Sequence, residues 1–263
     1  MPMPKGLALV VATVAALGGV GRAADSLGPR TKEKPFFDAR SRATEYAGPG
    51  RETPEPADVA EVLLGYFGPS DPADREGGDA WRAAQLALDE VNRQGGYRGK
   101  PFRLVPGWSD QPWKDGATQV TRMVYGHQVW AVLGGPDGTT THLAEQVVAK
   151  ARLALVSPGS TDRTANLANV PWMFSMLPGD HLQAPPLAAE LASLLEGRPF
   201  GIISGEDHDA RQFVLELHRA CTALRLQPQW QYVCPSAQDV PEVVAKVLDA
   251  KPAAVVIAAG ALR

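Results

Sequence analysis

The sequence has almost no excess of either charge. Its 26 Lys and Arg stand against 29 Asp and Glu, a formal net charge of -3. Neither basic residue forms a long block, which excludes an electrostatic nucleic-acid surface. Cysteine is nearly absent, with Cys221 and Cys234 alone, too few for a disulfide framework. No G-x-S-x-G nucleophile elbow occurs. The segment GGYRGKP (95–101) lacks both P-loop spacing and the hydroxyl residue after the lysine. Histidines are sparse. His127, His142 and His181 stand isolated, and the ten-residue spacing of His208 and His218 is not that of a zinc pair. The sequence therefore predicts no metal, no cofactor and no enzyme activity.

Long apolar runs are also scarce. The longest opens the chain at Gly6–Gly21 and carries no charge. It has the length of a signal-peptide core and is short for a membrane span. Residues 1–23 read as a secretory signal peptide, with Gly21 and Ala23 before the cleavage point; an uncleaved anchor is the other reading. Either one predicts an exported chain, periplasmic or extracellular. Residues 24–60 are rich in Pro, Gly and charge and form a linker with little apolar surface to bury. Export permits a disulfide. However, Cys221 falls near a predicted helix end and Cys234 at the end of the returning strand. Six strand residues span about 20 Å and three helical residues about 4.5 Å, so the two thiols are expected apart and free.

From Glu61 onward, short apolar runs alternate with segments of helical periodicity. Strands are predicted at 61–67, 102–108, 129–134, 153–157, 172–177, 200–204, 230–234 and 253–259. Helices fall between them, the one after the third strand at 140–151, with Asp115 and Asp239 as expected caps of others. Strict alternation predicts parallel sheets flanked by helices, an α/β fold. The break at Pro178-Gly179-Asp180 divides it into lobe 1 (61–178) and lobe 2 (179–263).

Two turns carry the functional reading. An apolar strand enters Gly134-Gly135-Pro136-Asp137-Gly138, followed by Thr139, Thr140 and Thr141; the next strand ends in Ser157-Pro158-Gly159-Ser160-Thr161. One βα unit apart, both turns emerge at the carboxyl edge of a parallel sheet, where hydroxyls and free N–H groups converge on an anionic ligand group. Helix capping by Thr139–Thr141 is the alternative use of the same residues. Glu206-Asp207-His208-Asp209 sits at the expected rim. It reads either as a cage for an ammonium group or metal, or as an acidic helix start.

GYFGPSDP, LALDEVNRQGGYRGKPFRL and VLGGPDGTTT…LALVSPGST occur in an order and spacing that resemble type I periplasmic binding proteins. The likeness is to the leucine/isoleucine/valine-binding family of ABC transporters and runs from about Val62 to Ala259. The resemblance implies two lobes closing by hinge motion on a small amino-acid-like or amide-like solute. It also implies an ABC permease in the inner membrane as partner. It places ligand contacts at Gly138 with Thr139, and at Gly159 (backbone N–H) with Thr161. Thr140 and Ser160 lie beside them, and Asp209 faces them from lobe 2. Three departures stand out: Gly138 replaces a serine, while Asp209 and Ala261 replace aromatics. They point away from a branched aliphatic ligand. The family pattern also continues past Arg263, so a C-terminally incomplete fold is expected. A ligand-sensing ectodomain and a degenerate, non-binding interaction module are the competing readings.

Overall fold

The computed structural model describes residues 8–10, 58–74, 77–167 and 170–259. The predicted leader and linker therefore lie outside the described residues, apart from Ala8–Val10 and 58–60, as does Ala261. In chain order the elements are β1 (Ala8–Val10), β2 (Val62–Phe67), α1 (Gly78–Arg93), β3 (Phe102–Gly107), α2 (Ala117–Thr121) and β4 (Ala131–Gly134). There follow α3 (Gly138–Ala151), β5 (Ala154–Ser157), β6 (Met173–Ser175), α4 (Asp180–Leu195), β7 (Phe200–Ser204), α5 (His208–Ala223), β8 (Trp230–Val233), α6 (Val240–Ala250) and β9 (Ala254–Ala258).

Two sheets result, in the order β3-β2-β4-β5-β6 and β1-β9-β7-β8. Every strand pair is parallel. The α/β architecture of two helix-flanked parallel sheets is thus the expected one. Each lobe has its own core. In lobe 1, Phe67, Val132 and Leu155 pack with Val120, Met123 and Val148 from the flanking helices. In lobe 2, Ala184, Ala188, Leu191 and Leu195 form the inward stripe of α4. That stripe joins Phe213 and Leu217 of α5 over Ile202 and Val256. Both cysteines are buried and free, as expected. Among the described residues no helix is long and apolar enough to cross a membrane.

Local chemistry fixes several boundaries. Pro106 is tolerated because β3 is an edge strand paired with β2 alone. The Asn-x-x-Gly-Gly motif ends α1 and docks it: the Asn92 side chain accepts from Phe102 N at 2.7 Å and donates to Phe102 O at 2.8 Å. Gly96 turns the chain at φ +64°, where a Cβ would lie 2.1 Å from the Lys100 carbonyl oxygen. Two expected caps take other roles. Asp115 lies inside a wide helical turn, Pro112–Gly116, that precedes α2, because Pro112 starts the helix without needing an N–H donor. Asp239 turns back to Ser236, accepting from its N at 3.1 Å and its hydroxyl at 2.6 Å.

Replacing Asn92 by Ala leaves the Phe102 N–H and C=O without partners in a half-buried position. The expected loss is about 1–3 kcal/mol in chemical denaturation. Gln85→Ala, on the exposed face of the same helix, changes stability by less than about 0.5 kcal/mol. Equal losses for the two would remove Asn92 as the docking group.

Candidate functional site

The two hydroxyl turns lie side by side. Gly134 and Gly135 take φ +150° and +73°, which sharpen the exit from β4. A Cβ at Gly159 would meet the Pro136 carbonyl oxygen at 2.2 Å, so the second turn presses directly on the first. Between them the Thr141 and Ser157 hydroxyls lie 2.9 Å apart, and each lies 3.2 Å from the Gly135 carbonyl oxygen it can donate to. The start of α3 carries a capping box. Asp137 accepts from Thr140 N and from its hydroxyl, both at 2.7 Å. Helix α3 therefore begins at Gly138, two residues ahead of its expected start, and Thr140 serves the cap. Thr139 is half-buried, while Ser160 and Thr161 are buried.

The first turn of α5 closes over these turns. Asp209 accepts from the Gly138 N–H with both carboxylate oxygens, at 3.0 and 2.9 Å. Beside it, His208 Nε2 lies 2.6 Å from Asp162 Oδ2, and His142 Nε2 of α3 lies 3.0 Å from the same oxygen. Asp162 is held from its other side by Thr164, whose N and hydroxyl each donate to Oδ1 at 2.7 Å. Two turns further along α5, buried Glu216 lies 3.6 Å from Arg163 of lobe 1 and also pairs with Arg219. The lobes thus meet through polar side chains of the protein itself. A cavity of about 340 Å³ opens elsewhere, lined by Ser204, Glu206, Arg211 and Gln231 within lobe 2. None of the seven predicted site residues lines it.

Burial and pairing divide the charges of this interface into two kinds. Asp162 would be pushed up by burial, but His142, His208 and Thr164 outweigh that and hold it well below the usual carboxylate range. Its bond to His142, with Glu145 on the other ring nitrogen, raises that imidazole to about 9. Asp209 is pushed up to about 6 by burial, against the pull of the Gly138 N–H. Asp180, fully buried at the start of α4, is pushed up to about 7. Burial is the main cause. The Thr161 hydroxyl beside it acts the other way, while Asp209, Asp162 and Glu216 add repulsion. Both Asp180 carboxyl oxygens and the Thr161 hydroxyl lack a hydrogen bond of good geometry.

The residues predicted for the site are therefore together, at one junction. The residues missed from the sequence are Asp162, Asp180 and His142. His142, expected as an isolated surface residue, is joined to Asp162 and reaches His208 across the lobes, ring centroids 6.1 Å apart. Separations of 20 residues between His142 and Asp162 and 46 between Asp162 and His208 hide this cluster from any spacing rule. Only the parallel-sheet topology, which stacks the ends of β4, β5 and β7 near one junction, carries a signal for it.

Asp180 yields a signed pH effect. Its folded value near 7 lies above the unfolded carboxylate range. Between about pH 4 and 7 the native chain holds more protons than the unfolded one, so stability falls as pH rises through that window. Asp180→Asn removes the penalty. In thermal and urea denaturation it is expected to match the parent at pH 4 and to exceed it by about 1–3 kcal/mol at pH 8. A variant less stable than the parent at pH 8 would refute a strained buried carboxylate.

The sequence pattern of the periplasmic binding protein family matches residues 65–261. A curated relative, an amino acid binding protein of Pseudomonas aeruginosa, is 26% identical over 150 residues, which are 57% of this chain and 40% of that protein. Among solved structures, the isoleucine complex of a branched-chain amino acid transporter substrate binding protein from Streptococcus pneumoniae superposes with a TM-score of 0.65 at 19% identity. The likeness covers 75% of this chain and 56% of that one. A leucine complex of an ABC transporter substrate-binding protein from Desulfitobacterium hafniense gives 0.59 at 20% identity, covering 75% of this chain and 58% of that one. A 3,4-dihydroxybenzoic acid complex of a solute binding protein from Rhodopseudomonas palustris gives 0.63 at 11% identity, covering 76% and 54%. The chain spans less than two thirds of the length of each of these relatives. At these identities the solved structures establish the fold, and the family match extends over most of the chain: the protein belongs to the periplasmic binding protein family, a family of solute-binding proteins rather than enzymes.

Proposed function

We propose that this chain is the ligand-binding part of an exported substrate-binding protein of an ABC transporter. Its solute is small, amino-acid-like or amide-like, and ends in a carboxylate or similar anion. The carboxylate is received at the junction of the two hydroxyl turns. The Gly138 N–H acts as donor at the α3 start, with Thr139, Gly159 and Thr161 around it. The observation that carries this reading is the Asp209 carboxylate on the Gly138 N–H at 2.9 and 3.0 Å. An anionic group of the kind a solute would present already fits there. Helix N-termini favour such groups through unpaired N–H donors and the helix dipole. The relatives support the solute class: one is named for amino acids, and others are seen with isoleucine, leucine and dihydroxybenzoic acid. In this reading Asp209 is a stand-in that leaves when the solute arrives.

The same contact favours one other reading. With Gly138 bonded to Asp209, Thr140 to Asp137, and Ser157 to Gly135 of the neighbouring turn, these donors are satisfied without a guest, and the Thr161 hydroxyl is the exception. A non-binding interaction module built on this fold has that property.

Asp209→Ala separates the two. Thermal shifts are measured for parent and variant against amino acids, their amides and small carboxylates. A solute at 100 times its dissociation constant adds about 2.7 kcal/mol of stability. At least one carboxylate is expected to stabilise the variant, with an apparent affinity at least tenfold tighter than for the parent. A variant that no carboxylate stabilises would leave the interaction module as the function.

A further inference from the structure

We propose that His142, Asp162 and His208 form a binding site for a divalent transition-metal ion of the Zn²⁺ class, which joins lobe 1 to lobe 2. The three donor atoms, two imidazole nitrogens and one carboxylate oxygen, lie within 4.8 Å of one another. Around a tetrahedral zinc with bonds near 2.0–2.1 Å, donors are spaced by about 3.3 Å, so shifts of about 1 Å or less bring all three into range. Two imidazoles and one carboxylate are a borderline donor set. They suit zinc, cobalt or nickel and do not suit calcium or magnesium.

The surroundings are arranged as a metal site requires. The Nδ1 of His142 faces Glu145 Oε2 at 3.5 Å. A carboxylate there holds a proton on Nδ1, so that an ion displaces the other proton, from Nε2, and takes up its lone pair, the usual support of a ligating histidine. Thr164 occupies Oδ1 of Asp162 with two hydrogen bonds, so Oδ2 is the oxygen aimed at both imidazoles. The Asp162 side chain is fully buried, whereas the His142 and His208 side chains are 27% and 31% exposed. An ion therefore has a way in from solvent and a fourth position open to water.

The three ligands come from α3, the turn after β5 and the first turn of α5. His208 is the one ligand from lobe 2, so the ion acts as a clasp on the closed arrangement. The site uses none of the turn groups assigned to a solute carboxylate. Metal binding and solute binding thus succeed or fail separately.

The test is titration of Zn²⁺ into the metal-stripped full chain by calorimetry, with Co²⁺ as a spectroscopic substitute. The expected result is one saturable equivalent. Co²⁺ should give visible d–d bands with no thiolate charge-transfer band, which sets Cys221 and Cys234 aside. His142→Gln and His208→Gln are each expected to weaken binding by at least about 100-fold, and Glu145→Gln by about 10–100-fold. His218→Gln, a histidine bonded to Gln231 elsewhere in lobe 2, leaves binding unchanged. Zn²⁺ should raise the melting temperature of the parent and not that of His208→Gln. Circular dichroism confirms that the variants fold. If one histidine variant does not fold, the other and Glu145→Gln decide. Absence of one-equivalent binding to the parent, or parental affinity in the folded variants, overturns the proposal.

Discussion

A donor at the start of a helix, once withdrawn from water, must be given an acceptor. This rule organises the junction of the two lobes. At α3 the Thr140 N–H is served locally by Asp137. The Gly138 N–H has no such neighbour and is served from the other lobe by Asp209. A hydrogen bond to a charged acceptor contributes about 1.5–3 kcal/mol, enough to hold two lobes that otherwise keep separate cores. The imidazoles on Asp162 and the Arg163–Glu216 pair lie along the same seam. The lobe 2 partners in these contacts, Asp209, His208 and Glu216, all come from α5.

That contact gives one physical account of two departures from the branched-chain pattern. A Cβ at position 138 would fall 2.4 Å from Asp209 Oδ1 and 2.9 Å from the Asp162 Cβ. A serine in that place is incompatible with the observed closure. An aromatic ring at position 209 would offer the Gly138 N–H no carboxylate oxygen. Glycine on one side and aspartate on the other are thus complementary: each is workable because of the other. The cost appears in the acids, since Asp209 and Asp180 are both pushed above the ordinary carboxylate range by burial.

Much of this was legible in the sequence, and the limits have physical reasons. Alternation of apolar runs with helical periodicity located each strand of β2–β9 to within a residue or two, because the central strands β2, β4, β5, β7 and β9 are short and largely apolar. The two turns were visible because glycine and hydroxyl residues cluster after β4 and β5. The capping box at Asp137 is not legible, since the threonine triplet draws the expected helix start two residues late. Asp115 and Asp239 misled in the same way, as an acidic residue near a helix start does not reveal which N–H it serves. Asp162 and His142 were not legible. Their partnership depends on the ends of different strands arriving at one edge, a property of the sheet and not of any local pattern. Gly138 and Asp209 were noticed as departures, but their direct bond is a fact of lobe closure.

Asp209 is tethered to the molecule whose donor it occupies. Its local abundance at Gly138 is therefore set by chain geometry and does not change when the protein is diluted. For short flexible tethers such effective concentrations reach the millimolar range. Any free carboxylate that uses the same N–H competes against this fixed internal rival. Scarce anions would leave the lobes latched, and the concentration needed for half occupancy would rise in proportion to the strength of that internal contact.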